Sequence, residues 1–444
     1  MRTGRLGRWR IAAALGTLLL VSTACLGQGE GEPAAGGGGT GGDQAGGTVN
    51  ILAAFIDEDQ KRFEASLKPF EDRTGIDVVY EGAADFEQLV TTRVEGGNLP
   101  DIALFPQPGL FNSVAEQDVF KPLDDVVDLG ALKESLVPGL LELGEVGGEQ
   151  LAVPYRAAVK DLTYYPVPEF GDAGYAVPET QEDLQALVDQ IKSDGGTPWC
   201  LGMESGAATG WVATDWIELF MLRLHGPDVY DQWVSHKVMF NSPEVTEAAE
   251  AFAALTFGTE GNVLEGRKGI VTTPFGDSPT PMFEDPPACF LHRQGSFITG
   301  DFPQDVQKDL AANVDFFYFP PVAEGGFDGK PVLGGADIAG LMSDSEAAKQ
   351  TLEYLSSAES GEAWAKQGNF LSPHADFDPS LYVDDFTRKQ GEILTEADVF
   401  RFDASDLMPG KVGAGTFWEE MVKWINDQKS LEEALQTIDA SWPK

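Results

Sequence analysis

The sequence predicts an α/β fold built on mostly parallel sheets, and three observations carry that expectation. Between Thr48 and Gly109 short apolar runs alternate with segments of helical apolar spacing. A second strand–helix unit follows Tyr164-Tyr165-Pro166, with a capping signal at its helix start. The chain has 444 residues, of which 42% are apolar, enough to bury more than one core.

Taken in order, Val49 to Phe55 reads as a buried strand, and Phe63, Leu67 and Phe70 recur at helical spacing before Thr74-Gly75. Ile76, Val78 and Tyr80 alternate as a second strand. Phe86, Leu89, Val90 and Val94 mark a second helix, and Ile102 to Phe105 follows Pro100 as a third strand. The βαβαβ order requires a parallel sheet with helices on its faces. Thr180 and Asp183 form a capping box ahead of Leu184, Leu187, Val188 and Ile191, and that helix stops at Gly195-Gly196. Phe316 to Phe319, Val332-Leu333 and Ile338 to Leu341 read as later strands; Ser345 to Ser356 and Phe417 to Asp427 read as amphipathic helices. No short internal repeat appears, which excludes a solenoid or propeller.

The beginning of the chain reads as targeting. Arg2, Arg5, Arg8 and Arg10 precede an apolar run from Ile11 to Val21, and Ser22-Thr23-Ala24-Cys25 closes it, so residues 1–24 are expected to be a signal peptide. The run is too short to span a bilayer, which takes about 20 residues. Ala24-Cys25 is similar to a bacterial lipobox, which makes Cys25 the expected lipidation site; ordinary cleavage after Ala24 is the alternative. Residues 25–47 then read as a lipidated cysteine and a flexible tether, since eleven of the 22 residues from Leu26 to Gly47 are Gly. Cys200 and Cys289 remain as an even pair in an oxidising space, either bridged or as two buried thiols.

Composition excludes several functions. Lys and Arg number 30 against 72 Asp and Glu, a formal charge of −42 that repels phosphate backbones and excludes general nucleic-acid binding. The same acid excess suits a salt-exposed setting. With so many carboxylates, no pair stands out as a glycosidase acid and nucleophile. The four His (225, 236, 292, 374) lack metal-ligand spacing, there is no Cys-x-x-Cys, and Ser205 lies in Glu204-Ser205-Gly206 rather than in a nucleophile elbow. No metal and no cofactor are therefore expected, and binding is favoured over catalysis.

The informative stretch is Gly196 to Trp216, where Trp199, Trp211 and Trp216 lie beside Glu204, Thr209 and Asp215. Aromatic faces stack on the C–H faces of sugar rings while carboxylates and amides bind hydroxyls, so the mixture suits carbohydrate. Trp216, at helical spacing from Leu219 and Phe220, reads as core; Trp211 follows Gly210 in a loop. Gly196-Thr197-Pro198-Trp199-Cys200, Thr209-Gly210-Trp211 with Thr214-Asp215-Trp216-Ile217-Glu218, and His225-Gly226-Pro227-Asp228 through Trp233 resemble the family 1 extracellular solute-binding proteins of bacterial ABC sugar importers. The likeness is to their α-glucoside-binding branch. Leu99-Pro100-Asp101-Ile102-Ala103, Val153-Pro154-Tyr155-Arg156, Gly334-Gly335-Ala336-Asp337 and Leu371-Ser372-Pro373-His374 extend the resemblance over residues 48 to 444, and the positions of Cys200 and Cys289 are similar to those of that branch.

The resemblance implies a two-lobed, maltose-binding-protein-like fold of the type II periplasmic-binding-protein class, with a sugar enclosed between closing lobes. Segments 48–158 and 313–342 would form the first lobe, and 159–312 and 343–444 the second, with crossings near Ala157 to Asp161, Asn313 and Leu341. Asp57 and Gln107 would face the cleft from the first lobe and Arg156 from the crossing. Trp211, Glu204 and Arg293 would come from the second lobe, Asp337 would follow a Gly334-Gly335 turn, and Tyr155 and Lys160 would complete the wall. Maltodextrin binders of this family carry a Trp just after the third strand, where this chain has Phe105-Pro106-Gln107. A disaccharide or glucosyl-polyol is therefore expected rather than a long oligosaccharide. The implied partners are a small α-glucoside, permease subunits with a separate ATPase, and a membrane reached through the lipid; the chain is expected to act as a monomer at the cell surface. An exported carbohydrate-active enzyme is the alternative.

Overall fold

The computed structural model describes residues 46–322 and 325–443. The signal peptide, Cys25 and the tether up to residue 45 lie outside the described residues. Among the described residues no helix is long and apolar enough to cross a membrane.

The first sheet starts as the sequence predicts. Strand β1 (Gly47–Ala53) leads to helix α1 (Asp57–Thr74), which ends on Gly75 in the left-handed conformation. Strand β2 (Ile76–Gly82), helix α2 (Phe86–Gly96), strand β3 (Ile102–Phe105) and helix α3 (Pro108–Ala115) follow. β1 pairs in parallel with both β2 and β3. Successive β1 side chains enter opposite cores: Ile51 packs with Phe63, Leu67 and Phe70, and Leu52 packs with Phe86, Val90 and Phe105. Two covered faces explain why the strand is a continuous apolar run.

Strand β4 (Ala152–Val159) passes through Lys160-Asp161 into strand β5 (Leu162–Pro166), which belongs to the second lobe. Helix α4 (Gln181–Ser193) has the predicted box: Asp183 N donates to Thr180 Oγ1 at 3.1 Å, and Thr180 N donates to Asp183 Oδ2 at 3.1 Å. Leu184, Leu187, Val188 and Ile191 are all buried. Helix α5 (Trp211–Val234) runs through the second core, where Trp199, Trp216 and Phe252 pack together, confirming Trp216 as core. Strands β6 (His292–Gln294) and β7 (Val314–Tyr318) flank β5. Both pairings are antiparallel, so this sheet departs from the expected parallel arrangement. Cys200 and Cys289 are joined by a buried disulfide.

Strand β8 (Pro331–Leu341) corrects the sequence reading, which had two strands and a Gly334-Gly335 turn. It is one continuous strand, antiparallel to β3 and to β4. Glycine serves here for close approach: a Cβ on Gly334 would lie 2.2 Å from the Phe400 ring and 2.8 Å from the Ala158 carbonyl. Helices α6 (Glu346–Leu355) and α7 (Ala358–Ala365) place Leu352 and Trp364 in the core that holds Ile51 and Phe63. Strand β9 (Val399–Phe402) pairs in parallel with β8, and the short helix α8 (Ala404–Leu407) follows. Residues 314–318 pair with β5, and residues 346–365 pack on the core that holds Ile51 and Phe63; an amphipathic helix does not declare in sequence which sheet it covers.

Candidate binding site

Two sets of paired charges, which form the floor of the candidate site, lie along β4 and the Lys160-Asp161 link that follows it. In the β4–β8 ladder Arg156 lies opposite Asp337, where a register shift between Asp337 and Ile338 marks a bulge. Arg156 Nε donates to Asp337 Oδ2 at 3.0 Å and Nη1 donates to Asp59 Oδ2 at 3.1 Å. The guanidinium also lies over the rings of Phe55 (4.5 Å) and Trp364 (4.9 Å), which fix its plane. Asp59, on the first turn of α1, additionally accepts from Arg62 Nη1 at 3.0 Å and from Asn369 Nδ2 at 2.8 and 2.9 Å. Burial raises the Asp337 carboxyl, and Arg156 opposes that rise.

The second set centres on Lys160, whose Nζ donates to Asp215 Oδ1 at 3.0 Å and to Asp403 and lies 3.9 Å from Asp406. Asp403 caps α8, accepting from Asp406 N at 2.9 Å and Ser405 Oγ at 2.8 Å. Glu218 of α5 accepts from Ala404 N at 2.9 Å and Ser405 N at 3.1 Å, tying α8 to the second lobe. Burial and the neighbouring Asp403 push the Asp215 carboxyl up to about 8 against the pull of Lys160. Burial works the same way on Asp403, but Lys160 and the hydrogen bonds from Asp215 and the Asp406 N–H together hold that carboxyl below its usual range. Asp215, Glu218 and Asp403 offer oxygens within 4.8 Å of one another. The Lys160 ammonium already sits on two of them and backbone N–H groups fill both oxygens of Glu218, so the set does not fit a metal ion.

Aromatic rings border these charges. Lys160 Nζ lies 5.3 Å from the Trp211 ring, which packs edge-on to Phe275 (5.2 Å) and tilted to Phe297 (5.9 Å). A narrow cavity runs between Phe297, Ser296, Arg156 and Asn369. Trp211 is half-buried and is the first residue of α5, not part of a loop.

The structure thus brings together Arg156, Lys160, Trp211 and Asp337 of the expected residues. Gln107, two residues past β3, is the N-cap of α3 and nearly buried, with Nε2 donating to Glu87 Oε1 at 2.9 Å. The other expected residues lie as follows. Asp57 is exposed, with a left-handed φ of 53°, and it is Asp59 that pairs with Arg156. Tyr155 is 1% exposed, packed with Phe55, Phe63 and Trp364 beneath Arg156, and its hydroxyl meets Ser66 Oγ at 2.9 Å. Arg293 is fully buried beneath the cleft, 3.7 Å from Asp215 Oδ2 and over the Trp216 ring at 5.4 Å. Glu204 accepts only from Gly206 N at 2.9 Å in its own loop. Sequence reasoning missed Asp59, Asp403, Asp406, Phe297 and Asn369. Asp403 had a legible signal, since Asp403 and Asp406 stand at N-cap and N3 spacing.

Hydroxyl groups could be recognised here by carboxylates that accept, by Arg156 and Lys160 that donate, and by rings that stack. Each cation is already held by two or more carboxylates, so neither is free to pair with an anionic solute.

The model of the family described as "Bacterial extracellular solute-binding protein" matches residues 51–362. The osmoprotective compounds-binding protein GgtB of Synechocystis sp. is 43% identical over 426 residues, covering 96% of this chain and 97% of its own. The alpha-glucosides-binding periplasmic protein AglE of Rhizobium meliloti is 39% identical over 406 residues, covering 90% of this chain and 88% of its own. Among solved structures, the bacterial solute receptor AcbH superposes with a TM-score of 0.76 at 18% identity, covering 89% of this chain and 98% of the receptor. That likeness shows the shared two-lobed fold.

Proposed function

The chain belongs to the bacterial extracellular solute-binding proteins, and from that premise we propose that it captures a small α-glucoside, a disaccharide or glucosyl-polyol, for an ABC importer. It is a binding protein, not an enzyme, and the observation that carries the ligand class is the floor described above. Two ion-paired sets, Asp59–Arg156–Asp337 and Lys160 with Asp215 and Asp403, lie beside the Trp211–Phe297 wall and offer both hydrogen-bond donors and acceptors. The names of the two relatives, an osmoprotectant binder and an α-glucoside binder, support the same class. A short ligand is favoured because Phe105 is fully buried against Phe86, Phe111 and Phe120 and offers no platform in the first lobe.

The solute passes to permease subunits served by a separate ATPase, by lobe closure and population shift. The anchoring reading rests on sequence: removal of residues 1–24, a lipid on Cys25, and a monomer held at the outer face of the membrane. Thermal unfolding against sucrose, trehalose, maltose, glucosylglycerol and an amino-acid mixture tests the ligand class. A ligand at 100 times its Kd stabilises by about 2.7 kcal/mol. A shift with one α-glucoside is the expected result, and a shift with amino acids alone would overturn it.

A further inference from the structure

We infer that Asn369, seated on Gly300, is the clasp that holds the two lobes closed. Asn369 is fixed to the first lobe, because the next residue, Phe370, is buried in the core with Tyr155 and Trp364. Its φ of 61° is left-handed, a conformation that Asn tolerates better than most residues. That backbone aims the side chain in two directions. Nδ2 donates to both oxygens of Asp59, the carboxylate that also holds Arg156. Oδ1 accepts from Thr299 Oγ1 at 3.4 Å.

Thr299 and Gly300 lie on the turn Ser296–Gly300, which follows β6 of the second lobe. Gly300 has no left-handed φ, so its conformation does not demand glycine; the space does. A Cβ there would stand 2.6 Å from Asn369 Nδ2 and 3.3 Å from its Cγ, with Arg62 Nη1 at 3.6 Å. Asn369 could relieve the clash only by turning away, which would cost its bonds to Asp59. Arg156, Asp59, Asn369 and Gly300 thus form one chain of contacts from the ligand floor to the facing lobe.

The inference rests on the solute-capture reading, but its test needs no sugar. Small-angle scattering of the full chain in sugar-free buffer compares the parent with Asn369→Gly, Gly300→Ala and the double variant. Asn369→Gly keeps the left-handed backbone while removing the side chain, and Gly300→Ala lies outside both cores. Each single variant is expected to shift the open-to-closed ratio roughly threefold to tenfold, the worth of one hydrogen bond, and so to raise the radius of gyration. The double variant is expected to match Asn369→Gly alone, because the added methyl then meets only Arg62 Nη1, at ordinary contact distance. Unchanged radii in both single variants, or effects that add in the double, would overturn the clasp. Radii that shift as expected in a parent that binds no sugar would count against the solute-capture reading and leave the clasp standing.

Discussion

Replacing Asp337 with alanine removes one of the two carboxylates that hold Arg156 at the cleft floor. The Arg156 side chain is 13% exposed and that of Asp337 10%, so water replaces the lost partner poorly. Removing one member of a buried pair costs about 3 to 5 kcal/mol when the other is left uncompensated. Arg156 keeps Asp59 at 3.1 Å, which brings the expected cost down to about 2 kcal/mol. Asp337→Asn retains an acceptor opposite Nε and is expected to cost about 1 kcal/mol, the difference between a charged and a neutral hydrogen bond. Chemical denaturation at pH 7 reads both values. Titration with whichever sugar stabilises the parent reads the accompanying loss of affinity, at least tenfold, or about 1.4 kcal/mol, for the alanine variant. An alanine variant that unfolds and binds like the parent would refute the claim that this pair shapes the floor.

Lys160→Met leaves Asp215 and Asp403 without their shared ammonium and is expected to cost more than Asp337→Ala, about 3 kcal/mol or above, measured as a fall in the urea midpoint. Tyr155→Phe loses only the contact with Ser66, so it is expected to lower stability by about 1 kcal/mol and leave sugar affinity unchanged. Trp211→Ala is expected to do the reverse in a paired calorimetric titration. Burial pulls His292 down to about 4, against the hydrogen bond to the Cys200 carbonyl at 2.9 Å. The unfolded chain takes up that proton first, so the stability His292 contributes is full above about pH 6.5 and is lost as pH falls through about 4. His292→Asn is expected to flatten the denaturation midpoint over that window; a parent curve already flat there would contradict the assignment.

The first βαβαβ unit and the capping box were legible because their signals are local: period-two alternation, period-3.6 spacing, and a cap three residues from its partner. What failed was non-local. Gly334-Gly335 reads as a turn until Phe400, brought alongside by β9, shows why a side chain there has no room. Tyr155 and Arg156 are neighbours at the bulge in β4, where strict alternation fails and both side chains meet Phe55 and Trp364. Asp57 and Asp59 differ by two positions on a helix; only the packing of α1 decides which carboxylate meets Arg156. Arg293 misled because a buried guanidinium beneath a carboxylate has no signature separating it from one on the surface.

The single strand β8 also sets the order in which the molecule can be assembled. Its pairing of Ile338 with Phe105 closes the first sheet using residues made long after the first three strands, and β9 arrives later still. The second lobe is inserted between those halves, so neither core is complete while the chain is still emerging from its N-terminus. Loop closure over such separations is slow. The first core is consequently completed only once β8 and β9, late in the chain, have been made.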